Sequence, residues 1–176
     1  MSNLFFNSHN FVVKVDEVKM NLITICIGKT DEKPLEELIL KYEKRLPPNW
    51  NYQRFEIPDI KNRKILSEQQ QKDKEAELIL AKLLPTDYVI LLDESGKSMN
   101  STRFAEEIRQ LMNQSVKQVV FLIGGPYGFS DAVYKRANRK LSLSEMTFTH
   151  QMVRLFLTEQ IYRAFTILHG KPYHHE

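Results

Sequence analysis

The sequence predicts an α/β domain built on a mostly parallel sheet. Three observations carry the prediction. Strand-like and helix-like segments alternate from Met20 onward, an order that implies right-handed crossovers. Two segments, DYVILLD (87–93) and KQVVFLIGG (117–125), are apolar without alternation, as strands are when both faces of their sheet are covered. Strand-like runs end on glycines or on loops of small residues, and ligands of such sheets sit beyond the carboxyl ends of the strands.

The elements follow in order. NLITICIG (21–28) is a short apolar run closed by Gly28, a first strand. KPLEELILKYEKRL (33–46) sets Leu35, Leu38, Ile39, Tyr42 and Leu46 at helical spacing, with Pro34 suited to a first turn and Pro47-Pro48 to stop it. NYQRFEIP (51–58) alternates like a half-buried strand, and DIKNRK (59–64) is a basic loop in which Lys61, Arg63 and Lys64 are candidate RNA contacts or simply solvated. SEQQQKDKEAELILAKLL (67–84) is a helix whose Ser67 and Gln70 have capping-box spacing, with Pro85 beyond its end. After the strand at 87–93, STRFAEEIRQLM (101–112) is an amphipathic helix; after that at 117–125, SDAVYKRAN (130–138) is a short helix opening on Ser130. KLSLSEMTF (140–148) reads as a strand running into a loop. HQMVRLFLTEQIYRAFTILHG (150–170) is a long helix with Val153, Phe156, Leu157, Ile161, Ala164, Phe165 and Leu168 on its apolar stripe; Gly170 and Pro172 end it.

The bulk numbers fit one domain, residues 20–176, in a chain of 176 residues that is 42% hydrophobic and 27% charged. A net charge of +3 permits a nucleic-acid partner without requiring one. Cys26, alone in an apolar run, reads as a core residue, and no disulfide framework or zinc site follows from it. No apolar stretch approaches the roughly 20 residues of a membrane span. Residues 1–19 do not read as a signal peptide, because Lys14, Asp16, Glu17 and Lys19 interrupt their apolar runs. They are either an extension ahead of the domain or an added edge strand through NFVVKV. A cytoplasmic location is the expectation.

Three loops leave neighbouring strand ends: LDESGKS (92–98), GGPYGFS (124–130) and SLSEMTF (142–148). Glycine admits close approach and positive φ. With Leu92, Ile123, Met146 and Phe148 as apolar walls, the loops suit a flat heterocycle held by main-chain hydrogen bonds. Gly-Gly-Pro by itself marks a turn far more often than a site, and the loops match neither G-x-x-x-x-G-K-[ST] nor G-x-G-x-x-G.

The segments FLIGGPYGFSDAV and KLSLSEMTFTHQMVRLFLTEQIYRAFTILHGKPYHHE, with NLITICIGK, YEKRL and DYVILLDESGK, resemble the RlmH family of SPOUT-class ribosomal RNA methyltransferases. The resemblance runs from Met20 to the end. It implies an α/β knot with a C-terminal trefoil, S-adenosylmethionine as cofactor, and a homodimer whose site the partner chain completes. The implied reaction is methylation of N3 of a pseudouridine in 23S rRNA on the assembled ribosome, with no role for membrane, DNA or metal. Carried over by position, the cofactor contacts are Leu92, Gly124, Gly125, Leu143, Ser144, Glu145, Met146, Thr147 and Phe148.

The proton on N3 must leave during such a transfer, which calls for a base. The candidates are His150, at the start of the last helix, and His174 and His175 in the tail. Arg154 is a candidate contact for an rRNA phosphate or the partner chain, and Tyr173 for stacking on the base. Arg163 reads as a surface residue. Two positions depart from the family pattern: Thr149 stands where many members have proline, and His175 where many have Lys or Arg. Rival readings are a SPOUT enzyme acting on another RNA such as tRNA, and a ribosome-associated binder without catalysis.

Overall fold

The computed structural model describes residues 20–60 and 63–174. Both readings of residues 1–19 lie outside the described residues, as do Lys61 and His175.

Five strands form one sheet: β1 (Asn21–Ile27), β2 (Tyr52–Ile57), β3 (Tyr88–Ser98), β4 (Gln118–Ile123) and β5 (Arg139–Ser142). Their order is β2-β1-β4-β3-β5, with every described ladder parallel. The helices are α1 (Lys33–Glu43), α2 (Glu68–Leu80), α3 (Ser101–Asn113), α4 (Asp131–Arg136) and α5 (His150–Leu168). Chain that leaves β4 passes β3 before entering β5, so the ends of these three strands lie side by side.

The apolar runs of the central strands feed two cores. Val119, Phe121 and Ile123 of β4 pack with α3 and α5, while Val120 and Leu122 pack with α2 and α4. Such a strand cannot alternate in sequence because it has no wet face. Leu157 and Ile161 on α5 and Ile108 on α3 are fully buried, and each such side chain contributes roughly 1.5–3 kcal/mol. Among the described residues no helix is long and apolar enough to cross a membrane.

Local signals hold at the helix starts. The Ser67 hydroxyl accepts from the Gln70 amide at 3.2 Å, and the Gln70 side chain accepts from the Ser67 amide at 2.9 Å, closing the capping box. Thr149 Oγ1 accepts from the Met152 amide at 3.2 Å and so caps α5. Ser130 does precede α4, but its hydroxyl is buried without a partner and makes no cap bond. Helix α1 stops at Glu43 rather than Leu46, because Arg45 and Leu46 turn tightly onto the carbonyls of Tyr42 and Glu43 ahead of the prolines. Lys82 and Leu83 end α2 in the same way.

One expectation fails. Residues 92–98 are not a loop: β3 continues through Ser98. A bulge between Leu92 and Lys97 lets the polar half of the strand pair Lys97 with Leu141 and Ser98 with Ser142. Propensity in DESGKS is poor for a strand, and pairing with β5 overrides it.

Cys26, on β1, is buried. Burial pushes its thiol up to about 12, with the charges of Arg154 and Arg54 only partly opposing that. The folded protein is therefore expected to resist alkylation by iodoacetamide at pH 8 and to react fully in denaturant; fast labelling of the native chain would contradict the placement.

Candidate functional site

A cavity of about 830 Å³ opens beyond the carboxyl ends of β4 and β5 and beside the middle of β3, within the size range of small-ligand pockets. Three segments supply its wall: Leu92–Ser95 of β3, Ile123–Phe129 after β4, and Leu141–Thr149 at and after β5, leaving out Glu145. His150, Gln151 and Val153 on the first turn of α5 close one side, with Glu32 ahead of α1.

The loop after β5 is held by its own serines. Ser142 Oγ donates to the Ser144 carbonyl at 2.7 Å, and Ser144 Oγ accepts from the Met146 amide at 2.9 Å. Thr147 Oγ1 reaches Glu94 Oε2 at 3.4 Å, tying this loop to β3. Met146, 76% exposed, and the half-exposed Phe148 and Tyr127 present apolar surface at the mouth. The Phe148 ring leans on Phe156 of α5 at 4.7 Å between centroids.

A polar group sits at the β3 wall. Asp93 Oδ1 accepts from the Ser95 amide at 2.8 Å and from the Ser95 hydroxyl, and Oδ2 accepts from the Tyr134 hydroxyl on α4. Lys140 Nζ donates to Ser95 Oγ at 3.0 Å. Burial alone would raise the Asp93 carboxyl. The Ser95 and Tyr134 hydrogen bonds and the Lys140 charge outweigh it and hold the group below its ordinary value. Burial and Asp93 together raise the Tyr134 phenol, so carboxylate and donor are each kept in the form that the bond requires.

The two adjacent glycines carry a surprise. A Cβ on Gly124 would meet the Phe129 ring at 3.2 Å, and one on Gly125 would lie 2.8 Å from Glu75 Oε2. The missing side chain of Gly125 makes room for Glu75, off the cavity wall, and that of Gly124 makes room for Phe129, which lines the cavity. Gly128, at φ +76°, is the position where the turn itself needs glycine.

Leu92, Gly124, Gly125, Leu143, Ser144, Met146, Thr147 and Phe148 thus come together on one cavity; Glu145 is in the same loop but off the wall. Of the residues expected to act in catalysis, His150 lines the cavity, its Nε2 3.4 Å from Gln151 Nε2, while Gln151 donates to the Lys29 carbonyl at 2.9 Å. Arg154 does not. It is 0% exposed and donates to the Ile27 carbonyl at 2.6 Å and to Thr30 Oγ1 at 3.0 Å, with Glu56 at 3.4 Å. The expected phosphate contact is corrected: this guanidinium points inward, to the end of β1.

Tyr173 and His174 also lie away from the cavity. Tyr173 donates to Glu159 Oε1 at 3.1 Å, its ring edge-on to Tyr162 and under the Arg163 guanidinium at 4.7 Å. His174 Nδ1 sits 3.3 Å from Arg163 Nη1. Arg163 is accordingly half-buried within the tail contacts rather than a plain surface residue. Of the basic loop, Lys64 is exposed.

Sequence reasoning missed Asp93, Glu94, Tyr134 and Glu32. The first two were in view as carboxylates at a strand end. The other two come from α4 and from ahead of α1, and no local pattern marks them. With them the lining carries three carboxylates, and no lysine or arginine among the described residues. Such a wall suits a ligand that bears positive charge and a flat apolar part. The sulfonium, adenine and ribose of S-adenosylmethionine match that donor set.

The family model described as "Predicted SPOUT methyltransferase" matches residues 20–174. The chain is 59% identical over 157 residues to the ribosomal RNA large subunit methyltransferase H of Flavobacterium johnsoniae, covering 89% of this chain and 100% of the relative. It is 54% identical over 157 residues to the protein of the same name from Parabacteroides distasonis, with the same coverage. Among solved structures, the SpoU methyltransferase AviRb of Streptomyces viridochromogenes, in complex with AdoMet, aligns over 84% of this chain and 58% of its own at 12% identity. Its TM-score is 0.42.

Proposed function

Because this chain belongs to the SPOUT methyltransferase family, we propose that it transfers a methyl group from S-adenosylmethionine to large-subunit ribosomal RNA, at N3 of a pseudouridine, on the assembled ribosome. One observation supports this reading above others: the strand-end loops that resemble the family's cofactor loops surround a single cavity lined by acids and exposed apolar side chains. The named activity of the relatives supports the substrate.

The cofactor, when bound, supplies an electrophilic methyl on a sulfonium. The chain's own part is to place and shield it. Leu92, Met146 and Phe148 would hold the adenine between apolar surfaces, and backbone groups of Gly124 and Leu143–Phe148 would hydrogen-bond its edge. Asp93 and Glu94 would face the positive charge. Alignment of nucleophile, carbon and sulfur is worth up to roughly 7–11 kcal/mol of the barrier. His150 lines the cavity and would take the N3 proton. Tyr173 and His174 lie off this chain's cavity, which favours a homodimer in which the tail serves the partner's site.

Isothermal titration with S-adenosylmethionine tests the first step, with micromolar binding expected. Met146→Arg is exposed enough to fold and puts a cation on the wall. It should weaken binding at least tenfold, about 1.4 kcal/mol. Methyl transfer should then appear on assembled ribosomes and not on free rRNA or tRNA. Transfer to tRNA would overturn the substrate, and no binding with or without ribosomes would overturn the enzyme reading.

A further inference from the structure

Glu75 is a buried carboxylate that the cofactor reading does not use. It lies on α2, 3% exposed, one turn after Gln71, itself 4% exposed. Gln71 Nε2 donates to Glu75 Oε1 at 2.8 Å. Across from the pair is the turn after β4. A Cβ on Gly125 would stand 2.8 Å from one carboxylate oxygen and 2.9 Å from the other, so the carboxylate rests against the glycine's backbone. The turn is closed by the Gly128 amide donating to the Gly125 carbonyl at 3.1 Å, and its other face lines the cavity.

A buried carboxylate is costly to keep. Packing alone would be served as well by Leu or Met at position 75, one turn from Ile79. A carboxyl group held by Gln71 on the far side of a ligand-lining glycine turn has a different use.

We propose that Glu75 is a positioning residue for the cofactor: its carboxylate, oriented by Gln71, fixes the Gly125–Gly128 turn in the shape that the cavity requires. It touches neither cofactor nor RNA. The missing side chain at Gly125 is then half of a matched pair, because any larger residue there would displace the carboxylate. The inference rests on the cofactor reading given under Proposed function.

The test uses the full chain with Glu75→Gln and Glu75→Ala, and Ile79→Val as a control buried on the same helix and away from the cavity. Melting, S-adenosylmethionine titration and amide exchange at 124–128 are measured on each. Both Glu75 variants should raise the dissociation constant, Ala by about tenfold and Gln by less, the low end of what removing a group that orients ligand-holding residues costs at metal sites. Exchange in the turn should accelerate in step. Ile79→Val should lower the melting temperature while leaving affinity and exchange in the turn unchanged. In turnover, the KM for the cofactor should rise with kcat near the parent value. If Glu75→Ala does not fold, Glu75→Gln carries the comparison alone. Affinity within twofold of the parent in a folded Glu75 variant overturns the proposal. So does an equal loss in Ile79→Val, which would mean that the effect is general destabilisation. Should the parent bind no cofactor with or without ribosomes, the cofactor reading fails, and the exchange data still report whether Glu75 holds the turn.

Discussion

Gly96→Ala is expected to destabilise the protein by ~3 kcal/mol and to abolish cofactor binding well below its melting temperature. Gly96 lies in the bulged half of β3, where the strand passes closest to β5. A Cβ there would stand 2.6 Å from both the nitrogen and the carbonyl carbon of Leu141, and 2.8 Å from the carbonyl carbon of Lys140. Those atoms are backbone in a paired strand, so no rotamer change relieves the contact. Either β5 moves out or β3 breaks its pairing beyond Leu92. Both displace the Leu143–Phe148 segment, which starts directly after β5 and forms one wall of the cavity. A loss of this size lowers Tm by roughly 6–12 °C in a chain of this length.

Gly128→Ala separates this effect from ordinary glycine chemistry. Gly128 has φ +76° and nothing within 4 Å of its would-be Cβ, so its cost is conformational alone, about 1–2 kcal/mol. Thermal melts and cofactor titration of the two variants give the comparison. A Gly96→Ala protein that melts with the parent would mean that β3 and β5 do not approach as closely as the bulge requires.

What could be read in advance was what short-range chemistry decides. The two-faced burial of β3 and β4 was written in uninterrupted apolar runs, and the cap at Ser67 in the Ser67–Gln70 spacing. The strand-end placement of the cavity followed from alternating elements. What could not be read was pairing across the chain. DESGKS has the composition of a loop, and only its register with β5 makes it a strand. Glu75 looks like any charge on an acidic helix until it is seen against Gly125. Arg154 matched a family motif, and a basic residue in a motif of an RNA enzyme invites a phosphate. Its real partner, the Ile27 carbonyl, lies 127 residues away. The glycines at 124 and 125 were read as places where the backbone comes close to a ligand; the room that their missing side chains leave is taken by Phe129, on the cavity wall, and by Glu75, off it.

Arg154→Ala should cost ~3–5 kcal/mol, as for other large, fully buried side chains cut back to Ala. The charged cluster around it is extensive. Arg54 donates to Glu36 at 2.6 Å, to Glu43 at 2.8 Å and to Glu56 at 2.6 Å, and Arg154 joins it at Glu56 and Thr30. Removing Arg154 leaves Glu56 still paired with Arg54, so the penalty comes from elsewhere. The Ile27 carbonyl loses its Arg154 donor at the end of β1, and a large side chain's volume becomes void beside α5. Arg154→Lys keeps the charge but not the two-pronged donor that serves Ile27 and Thr30 together, so an intermediate loss is expected. The decisive measurement pairs melting with RNA binding. A buried anchor predicts a fall in Tm of roughly 6–20 °C, with the salt dependence of RNA binding by the folded variant unchanged. A phosphate contact predicts the reverse: an unaltered melt, weaker binding, and a log–log salt slope shallower by about one. The inward geometry, with its 2.6 Å bond to a buried carbonyl, requires the first result. The second would mean that the guanidinium leaves the protein interior when RNA arrives, taking the end of β1 and the first turn of α5 out of their present contact.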